Sequence, residues 1–147
     1  MARQNLSSST DNRAEFDGAK IALFLGDKLA VLRRDDMPGL PYAGCLDLPG
    51  GMREPGETPE ACVLRELAEE LGLVLAARDL ERPRFYQAPR RAWFFAAYLP
   101  AERATDVVFG DEGQGWLLMD AMDFVTADDA VPHFRDRVRA ILEASPG

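Results

Sequence analysis

Three glutamates, Glu66, Glu69 and Glu70, stand at spacings of three and four residues. On a helix such positions are surface neighbours, and like charges there repel and cost stability unless something positive sits among them. A solvated acidic face is the plain reading of such a set. Two features favour chemistry. The acids fall in the second half of the helix they would occupy, where the negative end of the helix dipole opposes them. They also follow Leu48-Pro49-Gly50-Gly51, a strand end whose glycines let backbone approach another group closely. Hard oxygen donors beside irregular backbone suit Mg²⁺ or Mn²⁺ bound jointly by protein and a phosphate.

The helix that must carry these acids is well punctuated. Thr58 is a suitable N-cap, Pro59 occupies the first helical position where its missing N–H is harmless, and Gly72 can end the helix in a left-handed conformation. The spacing predicts a helix over 59–71. At about 100° per residue, Leu64, Leu67, Ala68 and Leu71 form the stripe expected to pack on the domain, with Glu66, Glu69 and Glu70 on the opposite side.

Gly51, Glu57, Arg65, Glu66, Leu67, Glu69, Glu70, Gly72 and Leu73 together resemble the signature of the Nudix hydrolase superfamily without departure. The resemblance implies an α/β fold of the Nudix type, an α/β/α sandwich with a mixed sheet between the signature helix and a C-terminal helix. It implies a pyrophosphohydrolase that uses divalent cations on a nucleoside diphosphate linked to another moiety. By motif correspondence Glu66, Glu69 and Glu70 are metal ligands, and the Gly50 carbonyl completes the shell. Glu57 is an auxiliary carboxylate. Arg65 is expected to orient Glu57 or Glu66 as an ion-pair partner rather than to bind phosphate. Glu112, in a glycine-rich loop before Trp116, stands where several family members place a general base or an extra metal ligand; a glutamate of the signature helix is the alternative base. Homodimers are frequent in the family, which extends that option here.

With 147 residues the chain suits one domain. Residues 1–17 are polar and serine-rich and read as a flexible segment, leaving a single domain over 18–147. A formal net charge of −8 argues against a nucleic-acid polymer as partner, whereas a small nucleotide held through metal is compatible with it. No apolar run approaches the eighteen or so residues needed to span a membrane, and no apolar h-region opens the chain, so a cytoplasmic protein is expected. Cys45 and Cys62 read as small hydrophobes rather than as a disulfide.

Residues 19–25 and 28–34 read as strands around Gly26-Asp27, followed by a Pro- and Gly-rich loop over 37–44 and a short strand over 45–48. A short strand or extended exit over 73–77, a further segment over 80–87 and a buried strand over 92–99 follow. Residues 116–119 make another strand, Asp120 is expected to cap a short helix through Val125, and a helix begins at Pro132 with Phe134, Val138, Ile141 and Leu142 inward and its charges outward. Arg33 and Arg34 are candidates for substrate phosphate, and Tyr42, Trp93 and Phe95 for stacking on a base. His133 reads as a surface or packing residue.

The leading function is metal-dependent hydrolysis of a nucleoside triphosphate, ADP-ribose or a nucleotide sugar. The alternative is a catalytically silent domain of the same family that serves as a nucleotide sensor or scaffold. The histidine-containing pattern of the coenzyme A pyrophosphatases and the proline-rich array of the NADH enzymes are both absent. Pro89 lies near where ADP-ribose hydrolases tend to carry a proline.

Overall fold

A computed structural model describes residues 15–144. The segment expected to be flexible, 1–17, lies outside the described residues up to position 14. Its last residues are packed: Phe16 is buried beneath the Arg53 guanidinium, 4.5 Å from its ring centroid, and the Asp17 N–H donates to the Arg91 carbonyl at 2.8 Å. The packed domain therefore includes Phe16.

The elements run β1 (Gly18–Leu25), β2 (Lys28–Arg33), β3 (Leu46–Asp47), β4 (Gly50–Met52), α1 (Pro59–Leu71), β5 (Glu81–Tyr86), β6 (Ala92–Leu99), β7 (Gly115–Met119), α2 (Ala121–Thr126) and α3 (Pro132–Ala144). The sheet has the order β3-β2-β1-β6-β5, with β4 added to β1 and β7 to β2. β1 and β6 pair in parallel from Gly18 opposite Ala92 to Leu25 opposite Leu99, and the other pairings are antiparallel. The sheet is therefore mixed.

Alternation along β1 and β6 divides the interior in two. Ile21, Leu23, Leu25, Phe95 and Ala97 face α1 and pack with Cys62, Val63, Leu67 and Leu71. Ala22, Phe24, Phe94 and Ala96 face the other way, toward Phe124 of α2 and Phe134, Val138 and Ile141 of α3. Helices thus cover both sheet faces, the α/β/α sandwich that the resemblance implied.

α1 has the predicted ends. The Thr58 hydroxyl accepts the Ala61 N–H at 3.1 Å, and Gly72 closes the helix at φ 67° with its N–H on the Ala68 carbonyl. Its phase differs from expectation. Pro59, Cys62, Val63, Leu67 and Leu71 are the buried positions, while Ala68 is exposed and Leu64 only half-buried. The predicted stripe gave weight to alanine and leucine and none to Cys62 and Val63, which turns the packed face toward the glutamates.

Elsewhere, residues 73–77 form no strand. The extended exit buries Leu73 and Leu75 and enters a 3₁₀ turn over Ala77–Asp79. Asp120 occupies the N-cap position of α2, but makes no side-chain cap; its carboxylate pairs with Lys28 at 2.7 Å instead. Cys45 and Cys62 are free thiols, and burial pushes Cys62 up to about 11, so it packs rather than reacts.

Candidate active site

The phase of α1 decides where its acids go. Glu66 and Glu70 share the helix side of Val63 and Leu67, not the solvent side, so their carboxylates are carried under β4. The side chain of Glu66 is 16% exposed, against 57% for Glu69. Glu70 Oε1 accepts the Gly50 N–H at 2.9 Å. A Cβ on Gly51 would stand 2.6 Å from the Glu66 carboxyl carbon, so only glycine leaves room for that carboxylate beneath the strand. Burial pushes Glu70 up to about 8, against the opposing pull of the Lys20 charge and the Gly50 N–H. Glu66 is also raised by burial, with Arg65 opposing.

Arg65 ties the remaining acids together. Its Nε donates to Glu57 Oε2 at 2.6 Å and Nη2 to Glu57 Oε1 at 3.0 Å, a two-pronged pair. Nη2 also reaches the Met52 carbonyl at 2.9 Å. Nη1 is shared between Glu66 at 3.1 Å and Glu69 at 3.3 Å. The hydrogen bonds from Arg65 hold Glu57 below the usual carboxylate range, and Arg65 itself is raised by them. Glu57 also accepts the Glu54 N–H at 2.8 Å, which fixes the turn entering α1.

A cleft of about 610 Å³ opens between β4, α1, α3 and the loops around Tyr42 and Glu112. Gly50, Glu66, Glu70, Glu112, Arg34 and Tyr42 border it. Glu57, Arg65, Glu69 and Arg33 do not border it. Arg33 is turned away, donating to the Gly44 carbonyl at 2.8 Å and pairing with Asp129 at 3.1 Å. Arg34 donates to the Pro41 carbonyl and to Asp47 at 2.9 Å. The loop before β7 is pinned to β2, with the Gln114 N–H on the Arg33 carbonyl and its amide on the Arg34 carbonyl, both at 2.8 Å. That anchorage sets Glu112 at the cleft wall. Trp93 and Phe95 are not base-stacking groups of this cleft: strand alternation sends both to the α1 side of the sheet, where they pack in the core.

Sequence reasoning missed the floor of the cleft. Lys20, the one cation in the apolar run of β1, donates to Asp47 at 3.2 Å, the Leu48 carbonyl at 3.0 Å and the Gly50 carbonyl at 3.2 Å. Asp47 is buried. A charged residue inside each of two apolar strand runs was the available signal. His133 lines the cleft with its ring edge-on to Tyr42, centroids 5.7 Å apart. The charges of α3 were all expected outward, yet Arg137 is buried.

The donor types suit a divalent cation. Among the described residues, no three or more His, Cys, Asp or Glu side chains are gathered into a ready cation cluster, because Arg65 holds Glu66 and Glu69 while Gly50 holds Glu70. The chemistry nevertheless fits. Glu66, Glu70 and Gly50 offer hard oxygens to one cleft, and the raised pKa of Glu70 marks a buried carboxyl whose protein partners do not fully support its charge.

A family model described as the NUDIX domain matches residues 16–142. The chain is 36% identical over 89 residues to a protein of Haemophilus influenzae named 8-oxo-dGTP diphosphatase, covering 59% of this chain and 65% of that protein. It is 41% identical over 54 residues to one of Methanocaldococcus jannaschii named ADP-ribose pyrophosphatase, covering 37% and 30%. The chain thus spans less than two thirds of either relative. The structure superposes on a MutT protein from Methanosarcina mazei with a TM-score of 0.69 at 21% identity, covering 87% of this chain and 93% of that one, a likeness of fold.

Proposed function

The chain belongs to the NUDIX domain family, and on that premise we propose that it is a divalent-metal-dependent pyrophosphohydrolase acting on a nucleoside diphosphate linked to another moiety. The observation that carries this reading is the placement of Glu66 and Glu70 side by side in the cleft under Gly50 and Gly51. A domain that merely bound nucleotides would have no need to bury two repelling carboxylates at the expense of helix stability.

Glu66, Glu70 and the Gly50 carbonyl would hold the cation, with Glu69 joining from the helix edge. When bound, Mg²⁺ or Mn²⁺ neutralises phosphoryl oxygens and makes a coordinated water more acidic. Arg65 orients Glu57, Glu66 and Glu69 from outside the cleft, the role of a positioning residue. Glu112, which borders the cleft, would take a proton from the attacking water. Arg34 and Lys20 supply positive charge beside the same space, suited to the anionic oxygens of a pyrophosphate. The substrates named for the two relatives, 8-oxo-dGTP and ADP-ribose, are both nucleoside diphosphate derivatives, which supports that class as the substrate.

The test is a Mg²⁺-dependent hydrolysis screen over nucleoside triphosphates, ADP-ribose, nucleotide sugars and dinucleoside polyphosphates, with products separated by chromatography. One substrate should yield a nucleotide and a phosphorylated remainder. Glu70→Gln should remove most of that turnover while circular dichroism stays unchanged. Full activity in Glu70→Gln would overturn the metal assignment, and silence across the panel with metal binding intact would favour the sensor alternative.

A further inference from the structure

Arg137 has no part in the chemistry above, yet it is a thoroughly buried cation of the cleft, 4% exposed. Its guanidinium carbon lies 4.1 Å from the ring centroid of Tyr86, 5.5 Å from Phe134 and 5.9 Å from Phe94. One Nη2 hydrogen bond goes to the Ala88 carbonyl at 3.1 Å. Among the described residues no carboxylate pairs with it, and burial accordingly lowers its pKa with only Tyr86 opposing. The aromatic faces offset part of the lost hydration. They supply no acceptor in the plane of the fork, where a guanidinium presents five N–H groups.

The position of Arg137 says which part of a substrate it meets. Lys20 Nζ stands 3.2 Å from the Gly50 carbonyl and 5.4 Å from the centroid of Phe134, and Arg137 stands 5.5 Å from that same centroid. Across the sheet, Gly50 of β4 pairs with Lys20 of β1, Lys20 pairs with Phe94 of β6, and β6 pairs with β5, which carries Tyr86. Since Arg137 lies against Tyr86 and Phe94, the cleft runs from the carboxylates of α1 beside Gly50, past Lys20, to Arg137. A molecule whose anhydride lies at the first end places its remote portion at the second.

We propose that Arg137 determines specificity at that far end, its fork donating to two adjacent acceptor atoms on the part of the substrate remote from the cleaved bond. The proposal rests on the pyrophosphohydrolase reading for which end is which. Two chemistries offer such a pair: the O6/N7 edge of a 6-oxopurine, and two oxygens of a second, remote phosphate. The corresponding edge of adenine sets an N–H donor beside N7 and confronts the fork with a donor. Phe134, Tyr86 and Phe94 hold the guanidinium in place, so little of its freedom is left to lose when a ligand binds.

Two arms test this. In the first, kcat/KM is compared for guanosine or inosine nucleotides and their adenosine counterparts. In the second, it is compared for substrates with and without a phosphate remote from the anhydride. Wild-type protein should show a preference of about tenfold or more in one arm, and the preferring arm names the acceptor pair. Arg137→Lys and Arg137→Gln, checked by circular dichroism and thermal unfolding, should abolish that preference while sparing the disfavoured substrate. Calorimetric titration of metal-free protein with guanosine, adenosine and inorganic phosphate gives a readout that needs no turnover. Absence of preference in both arms and in the titration, or its persistence in a folded Arg137→Lys, overturns the inference. Hydrolysis without preference would leave the pyrophosphohydrolase reading standing. A selective ligand in the titration with no hydrolysis would do the reverse.

Discussion

Arg65 bears more of the site than any single carboxylate, because one guanidinium satisfies Glu57, Glu66, Glu69 and the Met52 carbonyl at once. Lysine keeps the charge but cannot span two oxygens of Glu57 and a third acceptor. Arg65→Lys is therefore expected to cost about 1–3 kcal/mol of stability and to lower activity roughly 10- to 100-fold, as changes to groups that orient metal ligands do. Urea unfolding and steady-state rates on the same preparation check both halves. A variant equally stable and equally active would show that Glu57 and Glu66 hold their places without it.

At the scale of elements, the site exists because α1 is drawn close against β4 and the loop before β7. Gly51 faces the Glu66 carboxylate, which can swing, whereas a Cβ on Gly110 would collide with the Glu69 carbonyl, which cannot. The two glycines should thus respond differently to alanine. Gly51→Ala should displace Glu66 and reduce turnover with a small change in melting temperature, and Gly110→Ala should lower the melting temperature sharply because backbone must move. Equal thermal effects would contradict the assigned neighbours. The docking of α3 carries a pH signature. Burial depresses His133 below 6.5, Arg137 and Lys20 push the same way, and Asp47 and Asp136 oppose. Just below pH 6.5 the unfolded chain then binds more protons than the folded one, so stability is complete above 6.5 and falls as pH drops through the depressed value. Glu70 and Glu66, raised by burial, act with the opposite sign in this window in wild type and variant alike, so the His133 part is read as a difference. By denaturant unfolding, stability at pH 5.5 relative to pH 7.5 should be higher in His133→Asn than in wild type. The ends of α1 were legible in the sequence because capping is local chemistry, read from Thr58, Pro59 and Gly72. Its phase was not, since whether Cys62 or Ala68 turns inward depends on the sheet it meets. The same limit hid Lys20, Asp47 and Arg137, which come from β1, β3 and α3 and are gathered only by the fold. Trp93 was mistaken for a stacking group because its aromatic character is visible in sequence and its side of the sheet is not.

For the molecule as a whole, the two-faced sandwich separates stability from chemistry. Apolar clusters on both sheet faces hold the layers, and the acids gather where α1, β4 and α3 leave an opening. A net charge of −8 means that any cation relieves some self-repulsion, so a stabilising effect of Mg²⁺ alone proves little. Site binding is distinguishable by magnitude and by residue. A cation bound only to the folded state at about one hundred times its Kd adds about 2.7 kcal/mol, which in a domain of this size is roughly 5–10 °C in melting temperature. Na⁺ at matched ionic strength should give a much smaller rise, and a chelator should reverse the Mg²⁺ shift. Glu66→Gln with Glu70→Gln should abolish the specific part and retain the screening part, because the variant stays acidic elsewhere. Thermal unfolding of both proteins across a Mg²⁺ series decides it. If the doubly substituted protein shifted as far as the wild type, the cation would be acting on the general charge of the surface, and Glu66 and Glu70 would not be its ligands.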